Sequence, residues 1–212
     1  MRRQLPVFPL GSVLLPYGLL PLHIFESRYR ALMTDLLEGD GRPRQDQAEM
    51  GVVLIERGHE VGGGDERSTF GTVAQIMQAE KLPDGRWLVV AAGTRRFSVS
   101  DWLPDDPYPR AEVEELPPEQ WDEGLTETLR SAEREVRRAL SLASELGEPA
   151  IQPGLSDDPS VAAWQLCNAV PVGSFDRQRL LAADGLGARL ELLAEQAREA
   201  AAVLAFRLGT GQ

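Results

Sequence analysis

The sequence is poor in the residues on which disulfide scaffolds, metal sites and nucleic-acid-binding proteins depend. Among 212 residues, Cys167 is the only cysteine, His23 and His59 are the only histidines, and Lys81 is the only lysine. A single cysteine excludes a disulfide within the chain and favours a reducing, cytoplasmic location. The formal net charge of −11 repels phosphate backbones, so nucleic acid is not an expected partner.

Long uninterrupted apolar runs are missing as well. The apolar stretch that follows Arg2 and Arg3 resembles a signal peptide only superficially, because prolines interrupt it and no small-residue cleavage site follows. The chain also lacks the run of roughly 18 apolar residues that a membrane-spanning helix needs. We therefore expect neither export nor a membrane partner.

The sequence also lacks recognisable catalytic and metal-binding motifs. Lys81 lies between a glutamate and a leucine, so no P-loop is present. Because it adjoins a Pro-Asp-Gly turn, it should be solvated and unsuited to a Ser-Lys dyad. His23, His59 and Cys167 have no metal-ligand spacing, and Cys167 on an apolar helix is better explained as a small buried hydrophobe. We predict no catalytic residue, no metal and no cofactor.

The hydrophobic period changes from two to about 3.6 near Leu116-Pro117-Pro118. Two consecutive prolines can continue neither a strand ladder nor a helix interior, so they mark a joint. This segregation predicts an α+β chain with a β-rich lobe over residues 1–118 and a helical lobe over residues 119–212.

The first half contains the patterns of several strands and one helix. Residues 83–85 form a Pro-Asp-Gly turn that predicts a β-hairpin, and the glycine-rich stretch Arg57 to Thr69 predicts a mobile loop. The predicted strands are Leu5 to Leu10, Gly51 to Glu56, Phe70 to Glu80, Trp87 to Ala92, Phe97 to Ser100 and Ala111 to Leu116, with a helix from Arg28 to Leu37.

The second half contains four helical patterns. Asp158 before Pro159 indicates an N-cap, Ser174 is a candidate cap for a short helix reaching Ala183, and Gly185 is expected to close that helix. The predicted helices are Leu125 to Leu146, a central buried helix from Pro159 to Val170, Ser174 to Ala183, and a last long helix from Leu186 to Leu204.

The stretch from Leu5 to Met33, LPVFPLGSVLLPYGLLPLHIFESRYRALM, resembles the opening of the Lon protease N-terminal domain. GTVAQIMQ at residues 71–78, GTRRFSV at 93–99 and the leucine-rich stretch 166–182 extend the resemblance over nearly the whole chain. Tyr17 departs from the family, which commonly has glycine there.

The resemblance implies a PUA-like pseudo-barrel followed by a helical bundle. It also implies a module that recognises polypeptide substrates. In complete Lon proteases an ATPase and a peptidase follow this region, whereas here the sequence stops. We therefore expect a free-standing, non-enzymatic module that binds unfolded or exposed polypeptide.

The segment from Leu14 to Ile24 carries six large aliphatic residues, more than a short proline-broken segment can easily bury. Pro16 and Pro21 are expected to prevent regular pairing from Leu15 to Leu22, leaving an irregular ribbon across the β lobe. We predict that a client polypeptide contacts this ribbon, with two arginines attracting its carboxylates. The predicted site comprises Tyr17, Leu19, Leu20, Arg28 and Arg30.

Other interpretations stay open. All six aliphatic residues could belong to the core, in which case no patch would be exposed. The chain could be an adaptor or scaffold for one specific folded partner, as the related domain of cereblon suggests by analogy, or, on a weaker third interpretation, an enzyme whose site goes unrecognised.

His23 and Glu26 suggest a catalytic site, but no nucleophile accompanies them. Glu26 is expected to bind a nearby arginine or cap the helix, and His23 to fill a half-buried slot.

Overall fold

The structure, a computed structural model, describes residues 2–37, 48–58 and 66–210. The chain divides into two units, Met1–Pro117 and Pro118–Gln212. Among the described residues, strands lie only in the first unit, together with one α-helix, and the second unit is helical. The α+β prediction is therefore confirmed.

The first unit contains one mixed six-stranded sheet with the order β2-β5-β4-β3-β1-β6. Because β6 also pairs with β5, the strands β5, β4, β3, β1 and β6 close into a ring, and β2 extends β5 outside it. This ring is the pseudo-barrel that the resemblance implies. The strands are β1 (Arg2–Leu10), β2 (Leu19–Ile24), β3 (Glu49–Arg57), β4 (Glu66–Lys81), β5 (Trp87–Leu103) and β6 (Arg110–Glu115).

Strand β1 changes partners halfway along its length. Residues 2–6 pair antiparallel with β6, and residues 7–10 pair parallel with β3. Pro6 and Pro9 are tolerated because each half of β1 pairs with one strand among the described residues, so a missing N–H can face away from that strand. Helix α1 (Ser27–Leu37) buries its apolar face in the core cluster that contains Phe8 of β1 and Ile24 of β2.

Close packing around Phe97 requires glycine on two strands. Phe97 is fully buried in a second core cluster with Leu5 and Val113. A Cβ atom at Gly71 would lie 2.4 Å from the Phe97 ring, and one at Gly51 would lie 2.9 Å from it. The missing side chains therefore make room for the ring inside the barrel.

Four charged side chains join strands at the same part of the barrel. Arg3 contacts Glu49 and Glu115 at 2.7 Å each, and Arg95 contacts them at 2.9 and 2.8 Å. The hydrogen bond from Arg95, together with the charges of Arg95 and Arg3, lowers the pKa of Glu115. These ion pairs cross-link β1, β3, β5 and the end of β6.

The prediction of an irregular ribbon up to Leu22 is wrong, because Leu19–Ile24 pairs antiparallel with β5 as strand β2. The N–H of Gly93 donates to the oxygen of Gly18 at 2.8 Å. Since hydrogen-bonded positions alternate along an antiparallel pair, Pro21 falls at an outward-facing position where no N–H is needed. Pro21 is therefore compatible with a strand at the edge of the sheet.

Two other predictions in the first unit need correction. Phe97 to Ser100 is not a separate strand, since β5 continues without a break from the hairpin to Leu103. The loop predicted over Arg57 to Thr69 is shorter, because Glu66 to Thr69 already belong to β4. Residues 59–65 of that loop lie outside the described residues.

The second unit has four α-helices and a short 3-10 turn. The Asp158 carboxylate accepts a hydrogen bond from the Ser160 N–H at 2.9 Å, which confirms the predicted cap. Ser174 is the first helical residue and not the cap, a position that Gly173 occupies without a side-chain hydrogen bond. The helices are α2 (Thr126–Glu145), α3 (Pro159–Ala169), α4 (Ser174–Ala182) and α5 (Gly185–Thr210).

A buried arginine, which the sequence patterns did not reveal, organises this unit. Arg189 of α5 is fully buried and donates to the Leu180 oxygen at 2.9 Å and to Glu119 Oε1 at 2.9 Å. Its guanidinium carbon lies 4.0 Å from the centre of the Trp164 ring. Arg189 thereby links α5 to α3, to the end of α4 and to the segment before α2.

Candidate functional site

Among the described residues, Cys167 is not reactive and no side chains form a metal-binding group. Cys167 is completely buried, and burial raises the pKa of its thiol to about 12, so it is not a thiolate at neutral pH. Within residues 2–37, 48–58 and 66–210, no three His, Cys, Asp or Glu side chains are grouped closely enough to hold a metal ion. His59 lies outside these ranges.

The outward face of strands β2, β5 and β4 forms an exposed, mainly apolar surface. On it, β2 and β5 present residues in register, and Leu19 and Leu88 are 71% and 43% exposed. The register pairs Leu19 with Ala92, Pro21 with Val90, and His23 with Leu88. Met77, at an irregularity of β4 next to Gln78, is also a large apolar side chain and is 50% exposed.

A groove of about 460 Å³ runs across this face. We call it the outer groove; it is lined by Pro21, Leu22, His23, Gln78, Ala79, Glu80, Leu88, Val89 and Val90. Because alternate residues of a strand point to opposite faces, Leu88 and Val90 face out while Val89 packs into the core. The groove therefore combines an apolar floor with polar groups from His23, Gln78 and Glu80.

Strand β2 also has a free edge, because β5 is its one partner among the described strands. Alternation places the N–H groups of Leu19 and His23 on that edge, with Pro21 between them. Proline on an edge strand limits pairing with a further strand. The edge therefore offers a client few backbone donors, and the outer groove offers the larger contact surface.

Three of the predicted contact residues lie just before or at the start of β2. Tyr17 is 58% exposed, and its N–H donates to the Gly93 oxygen at 2.8 Å. Its φ of 61° lies in the left-handed region, which costs a non-glycine residue about 1–2 kcal/mol. Leu19 is exposed as predicted, whereas Leu20 packs partly against the core and is a poor candidate for contact.

The two predicted arginines lie beyond the other end of β2, on α1. Arg28 binds Glu26 at 3.1 Å, as predicted for Glu26, and lies over the Tyr29 ring. Arg30 packs over Gly85 at the hairpin turn. The six residues of β2 span roughly 16–20 Å, so the arginines do not share a site with Tyr17 and Leu19. His23 is exposed and does not fill a half-buried slot.

The sequence reasoning missed Leu88, Val90 and Met77. A signal for them exists, because the run Leu88-Val89-Val90 is apolar at every position, whereas a strand with one solvated face normally alternates. Such a run indicates that both faces of β5 carry apolar side chains. Separately, none of the described helices is both long and apolar enough to cross a bilayer.

The family model that matches this chain describes the substrate-binding domain of ATP-dependent protease La (Lon), and the match extends over residues 4–198. A Lon N-terminal domain protein from Xanthomonas campestris has a similar crystal structure, with 27% identity, a TM-score of 0.63, and coverage of 91% of this chain and 98% of that one. The N-terminal domain of the Mycobacterium avium complex Lon protease is 17% identical with a TM-score of 0.61, covers 92% of this chain and 98% of that one, and supports the fold alone.

Lon proteases are also the curated relatives. Lon protease 2 of Desulfotalea psychrophila is 28% identical over 92% of this chain and 25% of the relative. Lon protease 2 of Myxococcus xanthus is 31% identical over 90% of this chain and 23% of the relative. The chain thus spans about a quarter of the length of the proteases it matches. The chain belongs to the family of Lon substrate-binding domains.

Proposed function

We propose that this chain binds unfolded or exposed polypeptide segments through the outer groove and that it hydrolyses neither ATP nor peptide bonds. The observation that carries the proposal is the apolar surface formed by Leu88 and Val90 in the outer groove and by the neighbouring Leu19, which is 71% exposed, on one face of β2 and β5. Exposed apolar patches with a polar rim are typical of protein-interaction sites. Membership in a family described by substrate binding supports the same function.

The shape of the outer groove favours an extended client. Its floor consists of neighbouring strands, and along β5 the outward-facing positions Leu88, Val90 and Ala92 are apolar at every second residue. An extended polypeptide presents its own side chains with the same period of two. Two of its apolar side chains could therefore contact Leu19 and Leu88, which are four residue pairs apart along β2 and β5, at the same time.

Tyr17 supports this assignment on energetic grounds. Its left-handed backbone is unfavourable, and its side chain stays mostly exposed, so little burial offsets the cost. Strained positions persist mainly where function requires them. An exposed tyrosine supplies a large amphipathic contact surface, and we assign it a contact with the client.

The non-enzymatic part of the proposal follows from the side chains available. The buried Cys167 thiol has a raised pKa and is shielded from any substrate, and Lys81 is solvated instead of desolvated. Purified protein should not degrade casein. Casein degradation that survives rigorous purification and disappears on mutation of Ser12, Ser174 or Cys167 would overturn this part of the proposal.

Fluorescence anisotropy with a labelled, permanently unfolded casein fragment tests polypeptide binding. Leu19→Ser combined with Leu88→Ser should weaken binding about 30-fold or more, since each leucine contact contributes roughly 1–2 kcal/mol. Tyr17→Asn removes the ring but keeps a residue that tolerates positive φ, and it should weaken binding to a smaller degree. Leu20 is left intact because it packs against the core.

A matched control is available on α5, where Val203 and Phe206 are 60% and 70% exposed. Val203→Ser with Phe206→Ser removes a similar apolar area and should leave the affinity unchanged. Unchanged affinity in the folded groove variant, or a loss in the α5 variant, would place the site elsewhere. A stoichiometric complex with one folded protein, without affinity for unfolded chains, would support the adaptor function.

A further inference from the structure

We propose that a second pocket, between α1 and the β4–β5 turn, binds a carboxylate group of a polypeptide client. This inference rests on the proposed function and adds a preference for acidic clients. We call the pocket the basic pocket. It has a volume of about 340 Å³ and is lined by Ser27, Arg30, Ala31, Thr34, Lys81, Gly85 and Trp87.

Arg30 forms one positively charged wall of the basic pocket. Its guanidinium packs against the β4–β5 turn. A Cβ atom at Gly85 would lie 2.1 Å from an Arg30 nitrogen, so the guanidinium packs directly on the turn backbone. Gly85 has a φ of 83°, so the turn conformation and the packing of Arg30 both require glycine. Over the described ranges, no carboxylate forms an ion pair with Arg30. Asp84, the acid of the same turn, binds Arg86 at 2.7 Å.

Lys81 supplies the second cationic wall. Its ammonium nitrogen lies 5.3 Å from the centre of the Trp87 ring, which forms part of the pocket. The neighbouring Glu80 lines the outer groove, as expected for adjacent residues of a strand that point to opposite faces. Strand β4 therefore directs the Glu80 carboxylate to one face of the sheet and the Lys81 ammonium group to the other.

Trp87 forms part of the same wall and has a buried indole N–H. Trp87 is 5% exposed, and its indole N–H has no acceptor in the described part of the chain. Buried donors are nearly always paired, and each one left without an acceptor is unfavourable. The pocket thus places the Arg30 guanidinium and the Ser27 hydroxyl, which can donate to an anion, beside the Lys81 ammonium and the Trp87 ring.

A carboxylate matches this set of donors. Guanidinium groups bind carboxylates in planar, bidentate geometry, and the other groups can donate to the remaining lone pairs. The net charge of −11 repels acidic chains at long range, but that field is largely screened beyond about 8 Å at physiological ionic strength. The local pocket, not the overall charge, would therefore decide the affinity for acidic segments.

Trp87 itself provides the readout of the test. In a ¹H–¹⁵N spectrum of the full chain, the indole signal of Trp87 is identified among the four tryptophans by Trp87→Phe. Three matched apolar peptides are titrated: one with an internal glutamate and an amidated C-terminus, one with glutamine and a free C-terminal carboxylate, and one with glutamine and an amidated C-terminus. The first two distinguish a side-chain carboxylate from a terminal one.

We expect a saturable shift of the Trp87 indole signal with at least one carboxylate-bearing peptide, and about tenfold tighter binding of it than of the neutral peptide. Arg30→Gln should abolish both effects, whereas Arg134→Gln, a control on the exposed face of α2, should preserve them. Equal binding of all three peptides, or an acidic preference that survives in folded Arg30→Gln, would overturn the inference. If the neutral peptide still binds, the proposed function stands without the pocket. If no peptide binds wild-type protein, the proposed function itself fails.

Discussion

Removing the charge of Glu119 should destabilise the helical unit strongly. Glu119→Gln keeps the size of the side chain and one of its two acceptor oxygens for Arg189, but it deprives Arg189 of its counter-charge. Arg189 is fully buried, so the guanidinium would stay charged without a carboxylate to neutralise it. Removing one partner of a buried ion pair typically costs about 3–5 kcal/mol.

The lower end of that range applies here. The Leu180 oxygen still accepts a hydrogen bond from Arg189, and the Trp164 ring still faces the guanidinium. We therefore expect a loss of about 3 kcal/mol in the free energy of unfolding. For a helical unit of this size, that loss lowers the urea midpoint by roughly 2 M.

Urea unfolding followed by circular dichroism at 222 nm measures the effect, because α2 to α5 supply most of the helical signal. Glu127→Gln is the matched control, since Glu127 is 73% exposed and pairs with Arg134 at the surface; its cost should stay below about 0.5 kcal/mol. Glu119→Gln with Arg189→Met should recover much of the loss. A loss below about 1 kcal/mol, or a double mutant no more stable than the single one, would mean that the Glu119 charge does not stabilise the buried Arg189.

Three further predictions concern folding, pH and reactivity. Gly71→Ala should destabilise the barrel by about 3 kcal/mol in thermal unfolding, because the new Cβ would lie 2.4 Å from the Phe97 ring. Glu115 has a lowered pKa, so its ion pairs stabilise the fold above its usual pKa of 4.5 and lose that effect as the pH falls below it; Glu115→Gln should flatten the stability profile there. Cys167 should resist alkylation at pH 8 until the chain unfolds.

For each of these predictions, a specific result would contradict it. A Gly71→Ala protein as stable as wild type would mean that the barrel repacks freely around Phe97. A stability profile below pH 4.5 that is unchanged by Glu115→Gln would mean that other carboxylates dominate acid unfolding. Alkylation of Cys167 at the rate of a free thiol in native protein would mean that α3 opens often.

Most of the architecture could be predicted because its signals are local. The Pro-Asp-Gly turn specified the β4–β5 hairpin, the spacing of Tyr29, Leu32 and Met33 specified α1, and Asp158 before Pro159 specified the start of α3. In each case the residues that determine the turn, the helix or its cap lie close together in the sequence. The resemblance to Lon N-terminal domains supplied the long-range arrangement that local patterns do not contain.

The candidate site was predicted less well because it depends on pairing between distant strands. Pro21 predicts an interrupted strand only if both edges are paired, and the sequence does not show that β2 is an edge strand. The register of β2 with β5, which places His23 beside Leu88, is likewise a tertiary property. For the same reason, nothing local indicated that Arg189 would find its partner in Glu119, seventy residues away.

Backbone amide shifts in a ¹H–¹⁵N spectrum, recorded during titration with an unfolded casein fragment, show where polypeptide binds. If it binds in the outer groove, saturable shifts will be concentrated in β2, in residues 88–92 of β5 and around Met77, with the helical unit largely unaffected. Shifts confined to α2–α5, or no saturable shift anywhere, would contradict binding of polypeptide in the outer groove.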